Sequence, residues 1–226
     1  MKRKFLSQET LKIIACVTML IDHIGAVFVP AVEYRIIGRL AFPIYCFLLS
    51  CGVQHTRHPG RYCLRLLVGA LLAELPFDLL FFGRFTWAHQ SVMITLLLGV
   101  IMLLWGRRTK GYLLPFAVCF FAAEFLRTDY GGWGIALIAL FGLTAGLPGA
   151  GWMQLAGMTG IFLAMDSYRV SVLGLGIPIQ MFGLAAMVPI LRYSGKKSTT
   201  NRAVQLGFYL FYPVHLALLL LIRYFR

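Results

Sequence analysis

The sequence predicts an all-α, polytopic membrane bundle of about nine transmembrane helices, on three observations. Sixty per cent of the 226 residues are hydrophobic, only 13% are charged, and the mean hydropathy is +0.81. Soluble domains sit near 45–50% apolar and roughly 25% charged, so this chain lacks the polar surface to face water. Apolar segments broken by Gly, Pro and charge recur along it, most near the ~20 residues a helix needs to cross a bilayer. The basic residues, finally, collect in alternate loops.

Taken in order, the expected spans are 11–30, 34–54, 62–82, 90–106, 111–127, 131–147, 150–166, 170–191 and 203–222. Residues 1–10 read as a basic cytoplasmic tail and 11–226 as a single transmembrane domain. The connections are too short for a second domain, and no internal repeat is visible. After the basic start the first apolar run is of spanning length and lacks a small-residue cleavage site, so it reads as a span and not a signal peptide.

Orientation follows from Lys and Arg. Lys2, Arg3 and Lys4; Arg57, Arg61 and Arg65; Arg107, Arg108 and Lys110; and Arg192, Lys196, Lys197 and Arg202 fall on one side. Arg35, Arg39, Arg84, Arg127 and Arg169 are scattered on the other. The expected N-terminus is therefore cytoplasmic and the C-terminus outside, in a multi-pass membrane protein. Net charge of +13 is assigned to this bias and not to nucleic acid. Asp22, Glu33, Glu74, Asp78, Glu124, Asp129 and Asp166 all fall toward the outer side, and only Glu9 toward the inner. Since acids contribute little to orientation, this suggests an acidic outer vestibule above a basic inner mouth.

Within the first span, KIIACVTMLIDHIG (12–25) carries Lys12 and, eleven residues later, His23. Eleven helical residues rise about 16 Å and turn three revolutions plus roughly 20°. Lys12, Cys16, Met19 and His23 thus share one stripe, which suits a long ligand with its anionic end low and its reactive end high. Ionisable side chains inside a membrane are costly and mark function by default. The plain alternatives are an interfacial anchor for Lys12 and a packing histidine for His23. Asp22 lies some 100° round the helix from His23, free to orient another group or to pair with Arg39. Glu74 and Asp78 are four apart on one helix face, with Pro76 between them to kink it. They would attract a cationic amine, or else pair with Arg84 or Arg127. Tyr212 and His215 in the last span reach a depth like that of His23, as acceptor contacts or as core residues. Five cysteines with no CxxC or His/Cys cluster predict neither metal nor disulfide framework. No P-loop, GxGxxG, GxSxG or HExxH is present.

Lys12-x10-His23 resembles the Arg/Lys-x10-His signature in the first helix of acyltransferase-3-type membrane acyltransferases. GRLAFPIYCFLLSCG (38–52) and FYLFYPVHLALL (208–219) are similar to that superfamily's second and closing helices, although Cys51 interrupts the usual Ser-Gly. LIDHIG, GRLAFPIYCFLL, AELPFDLLF, SVMITLLLG, DYGGWG and FYPVHLALL, in that order, resemble the TraX family more closely. Its founding member acetylates the N-terminus of pilin. The resemblance implies acetyl transfer from cytoplasmic acetyl-coenzyme A to an acceptor: a peptide amine, a small amine or a sugar hydroxyl.

On that reading His23 is the general base and Arg39 stabilises the oxyanion, with Asp22 beside them. Lys12, Arg57, Arg61, Arg65 and Arg107 meet the coenzyme, the arginines by bidentate phosphate contacts, unless these serve only to set topology. Glu74, Asp78, Tyr212 and His215 face the acceptor. The superfamily's Arg-x-x-Arg is here Arg61 and Arg65, one residue further apart yet still on one helical face. An acetyl-histidine intermediate remains open beside direct transfer. Rival classes are a small-solute transporter, for which the expected inverted repeats are missing, and a non-catalytic membrane component of a conjugation apparatus.

Overall fold

The structure is a computed structural model that describes residues 5–165, 167–172, 174–195 and 202–226. Lys2, Arg3, Lys4, Asp166, Lys196 and Lys197, which entered the orientation argument, lie outside the described residues. The chain divides into two compact units. One comprises Met1–Leu48 and Thr144–Asn201, the other Leu49–Leu143 and Arg202–Arg226.

In the first unit α1 (Gln8–Val27) begins at an N-cap, Ser7, whose hydroxyl accepts from the Thr10 amide at 3.2 Å, satisfying one orphan donor of the first turn. Residues just ahead of it, expected as part of the tail, are pinned: Phe5 and Leu6 amides donate to the Arg192 carbonyl, and Ser194 returns a bond to Leu6. One face of α1 is buried through Leu11, Ala15, Met19, Asp22 and Gly25, while Ile13 and Val17 stand exposed on the other.

The chain reverses after Phe28 and Pro30 into α2 (Val32–Gly38). Gly25 packs on Tyr34 and Gly38 on Asp22, so the two helices run antiparallel, their backbones drawn close where glycine leaves room. Arg39 and Leu40 separate α2 from α3 (Ala41–His55), and together Val32–His55 is long and apolar enough to cross a bilayer. Phe42, Ile44 and Cys46 of α3, and Met158 and Phe162 of α8 (Ala150–Ala164), fill the core of this unit.

The expected span at 170–191 is not a continuous helix. It opens with an antiparallel hairpin of β1 (Arg169–Val172) and β2 (Leu175–Pro178), in which Val172 faces Leu175. A 3-10 helix (Ile179–Ala186) and the short α9 (Met187–Leu191) follow. The reason is local. Val170 and Val172 favour a strand, and Gly174 supplies the left-handed turn with φ of 81°. Pro178 is tolerated opposite Arg169 because the bond there is made by the next residue, the Ile179 amide donating to the Tyr168 carbonyl at 2.8 Å.

The second unit is built on α4 (Pro59–Phe82), α5 (Val92–Thr109), α6 (Leu113–Phe125), α7 (Gly131–Thr144) and α10 (Arg202–Phe225). α4 carries Pro59 in its first turn, where the missing N–H is harmless, and ends at Gly83 with φ of 70°. Leu66, Ala70, Ala73 and Leu80 of α4, Leu96, Val100 and Leu103 of α5, Ile135 and Ile138 of α7, and Leu216 of α10 are buried in its core. Leu64, Leu67, Val68, Leu71, Leu72 and Leu75 lie along α4's other, exposed side. An apolar helix face of this extent left in the open belongs to a protein solvated by lipid.

Among the described residues, four helical segments are long and apolar enough to span: Gln8–Val27, Val32–His55, Val92–Thr109 and Ala203–Phe225. α4, at 24 residues, is about 36 Å long but is interrupted by Arg65, Glu74 and Asp78. The molecule is thus a mostly helical membrane protein.

Candidate functional site

On α1, Lys12 and His23 are half-buried, and Cys16 and Met19 between them are buried. The stripe therefore runs along the packed side of the helix and not along the side of Ile13 and Val17. Midway up it, Cys16 Sγ meets Tyr45 Oη of α3 at 3.2 Å. Tyr45 was not singled out from sequence. Its spacing from Pro43 and Arg39 gives no sign of it, because only the α1–α3 packing brings it across.

Beside His23, Asp22 is the centre of an ion cluster. Its Oδ1 accepts from Arg39 Nη2 and its Oδ2 from Arg35 Nη1, each at 2.8 Å. Arg35 Nη1 also lies 3.3 Å from the Asp22 carbonyl, and Arg39 Nε donates to the Arg35 carbonyl at 3.1 Å. The pairing of Asp22 with Arg39 weighed from the sequence is present. Arg35 was read only as a scattered outer-side arginine. Its signal was the four-residue step to Arg39, which aligns two guanidiniums on one face of α2.

Gly38 is needed here, since a Cβ at that position would collide with the Asp22 carboxylate. Side-chain exposure is 10% for Asp22 and Arg39 but 38% for Arg35, so the Arg39 arm is the desolvated one. Asp22 thus holds one guanidinium on each of its carboxylate oxygens.

The second unit holds the other predicted residues. Glu74 Oε1 accepts from Ser91 Oγ at 2.6 Å and from Ser91 N at 3.0 Å, and Oε2 reaches the same amide only at 3.4 Å. Ser91 is the N-cap of α5, so Glu74 places negative charge at a helix N-terminus, where the dipole favours it. Asp78 Oδ2 accepts from the Thr86 amide at 2.9 Å. Among the described residues neither carboxylate is paired with Arg84 or Arg127.

Tyr212 is buried, with its phenol against the backbone of Val92 and within electrostatic reach of Glu74 and Asp129. His215, also buried, stacks on Phe211 at 4.8 Å and approaches Tyr212 edge-on at 5.5 Å. Its Nδ1 lies 2.7 Å from the Phe211 carbonyl. A carbonyl can only accept, so Nδ1 carries the proton, and in the neutral ring Nε2 carries the lone pair. Glu74, Asp78 and Tyr212 are thereby gathered at one end of this unit. Each carboxylate has its own partner and they share none.

The basic residues are exposed. Arg57 lies between α3 and α4, and Arg61 and Arg65 in the first turns of α4. Arg107 Nη1 reaches the Val53 carbonyl of α3 at 3.4 Å, which brings it to the same α3–α4 corner. Arg65 lies over the Tyr209 ring at 5.4 Å, and its Nε donates to the Arg61 carbonyl at 3.2 Å. Among the described residues none of these four is ion-paired with a carboxylate. Exposed guanidiniums without counter-ions fit a phosphate-bearing substrate.

Comparison with known proteins agrees in extent. The family described as "TraX protein" matches residues 7–223. The chain is also 29% identical over 239 residues to a Dichelobacter nodosus protein, "Probable fimbrial assembly protein FimC, serogroup H1", with 92% of each covered. No solved structure matches.

Proposed function

The chain belongs to the TraX family, and on that premise we propose that it transfers an acetyl group from acetyl-coenzyme A to the N-terminal amine of a pilin-type peptide at a bacterial cytoplasmic membrane. The peptide acceptor is preferred to a small amine or a sugar hydroxyl because the similar Dichelobacter protein is described as acting in fimbrial assembly. One observation carries the reading. Lys12 and His23 end a stripe on the packed side of α1, with Cys16 and Met19 buried between them.

In this mechanism the imidazole of His23 takes a proton from the amine as the nitrogen attacks the thioester carbonyl. The tetrahedral intermediate collapses with cleavage of the carbon–sulfur bond, and the coenzyme leaves as its thiol after receiving that proton. Asp22 acts through Arg35 and Arg39: it locks α2 against α1 and so fixes the turn that bears His23. The guanidinium of Arg39 has the N–H donors for an oxygen that becomes negative during attack. Lys12 serves the anionic end of the donor. Arg57, Arg61, Arg65 and Arg107 have the chemistry for its phosphates.

The test incubates purified protein in nanodiscs with radiolabelled acetyl-coenzyme A and three acceptors: a free-N-terminus peptide, a small amine and a sugar. The reading expects label on the peptide N-terminus with stoichiometric release of coenzyme A. Label on the sugar alone overturns the acceptor. Solute flux without release of coenzyme A overturns the enzyme in favour of a transporter, and neither outcome leaves a non-catalytic membrane component.

A further inference from the structure

Two acids of α4 lie well inside a 24-residue helix whose outer face is apolar, and they are not equivalent. Both oxygens of Glu74 are directed at Ser91. Asp78 is 1% exposed, and while its Oδ2 takes the Thr86 amide, its Oδ1 has no partner. Among the described residues no cation compensates either carboxylate. A buried anion without counter-charge is disfavoured far more than a neutral polar group, and its persistence in such a segment points to a ligand.

A second unsatisfied atom belongs to a turn tied into the same hydrogen-bonded frame. Thr128 is 6% exposed and its Oγ1 has no partner. Its turn is stitched to Gln90, whose amide donates to Arg127 O at 3.2 Å and whose carbonyl accepts from Asp129 N at 2.9 Å. Gln90 directly precedes Ser91, the partner of Glu74. The segment 86–91 is thus held by the α4 carboxylates through Thr86 and Ser91, and by the Thr128 turn through Gln90.

We infer that Asp78 Oδ1 receives a primary ammonium group, the N-terminus of the peptide acceptor as it docks in its protonated form, with Glu74 one turn before it supplying further negative charge. The ammonium gives one proton to water before the neutral amine enters the transfer step. The inference rests on the acyl-transfer reading for the identity of the peptide. It goes further by naming the residue that recognises the amine and by setting Glu74 apart as the cap of α5. An ammonium carries three donors. The acceptors with capacity on α4 are Asp78 Oδ1 and Glu74 Oε2, the latter with its single 3.4 Å contact. A hard inorganic cation takes about six oxygens, more than these.

The test measures binding, not turnover. Full-length protein in nanodiscs is titrated with one C-terminally labelled peptide in three forms: free, acetylated and trimethylated at the N-terminus. The trimethylated form keeps the charge and loses the donors. The free peptide binds wild-type protein roughly tenfold to a hundredfold more tightly than either blocked form. Asp78→Asn abolishes that difference. The same variant melts no lower than wild type, because asparagine still accepts from the Thr86 amide while an uncompensated charge is removed.

Equal binding of the three peptides to wild-type protein overturns the inference without use of any variant. So does an Asp78→Asn protein that still discriminates, or a rise in melting temperature with sodium ion alone that depends on Asp78. Acetyl transfer without N-terminal discrimination in binding leaves the proposed function and removes this inference. Discrimination that depends on Asp78 without acetyl transfer does the reverse.

Discussion

Replacing Asp22 by asparagine separates the two arms of the cluster on α2 by their burial. The wild-type carboxylate accepts one guanidinium on each oxygen at 2.8 Å. Asparagine offers one oxygen and no charge, so two cations lose their anion at once. Breaking a buried pair by removing one partner costs about 3–5 kcal/mol.

Most of that loss belongs to the Arg39 arm, whose side chain is 10% exposed, because the 38%-exposed Arg35 is reached by water and contributes about 1 kcal/mol or less. A double-mutant cycle in detergent melts is the assay. Asp22→Asn with Arg39→Gln should show a coupling above about 1 kcal/mol, and Asp22→Asn with Arg35→Gln a smaller one. Gly38→Ala drives a methyl group into the same carboxylate and should lower the melting temperature in the manner of an overpacked core, about 1–3 kcal/mol. Equal coupling for the two arginines, or a Gly38→Ala protein as stable as wild type, would refute the reasoning. If the cluster also positions His23, Asp22→Asn lowers the acetylation rate of protein that is still folded at the assay temperature.

Two further outcomes follow from the second unit. Ser91→Ala removes the 2.6 Å bond to Glu74 from a fully buried site; it should destabilise by about 1–3 kcal/mol while changing acetyl-coenzyme A affinity little, read by melting and by coenzyme titration. Arg61→Gln with Arg65→Gln should do the opposite, leaving stability within about 0.5 kcal/mol as expected for exposed residues. It should raise KM for acetyl-coenzyme A about tenfold or more, in a salt-dependent way measured by initial rates at two ionic strengths.

What was legible in the sequence was whatever depends on spacing within one helix. Lys12, Cys16, Met19 and His23 could be placed on a common stripe because α1 is an unbroken helix across Gln8–Val27. Asp22 and Arg39 could be weighed as a pair because a short reversal joins two apolar runs. Illegible were the features that need one element to be laid against another. Tyr45 reaches Cys16 only through packing, and Ser91 and Thr86 reach the α4 carboxylates only because the 83–91 loop folds back over that helix. The segment 170–191 misled for a different reason. Its hydropathy satisfies a membrane span, and the strand preference of Val170 and Val172 with the turn at Gly174 overrides it locally. The fate of Glu74 was likewise hidden, since a carboxylate capping a helix and one awaiting a cation look alike as letters.

The most direct test of the central claim is the rate at which acetyl groups reach a peptide N-terminus, measured by mass spectrometry with wild-type protein and with His23→Gln, both checked for equal melting temperature. Loss of general-base catalysis predicts a fall of about 10²–10⁴-fold with the KM for acetyl-coenzyme A little changed. An unaltered rate in a folded His23→Gln protein would contradict the account.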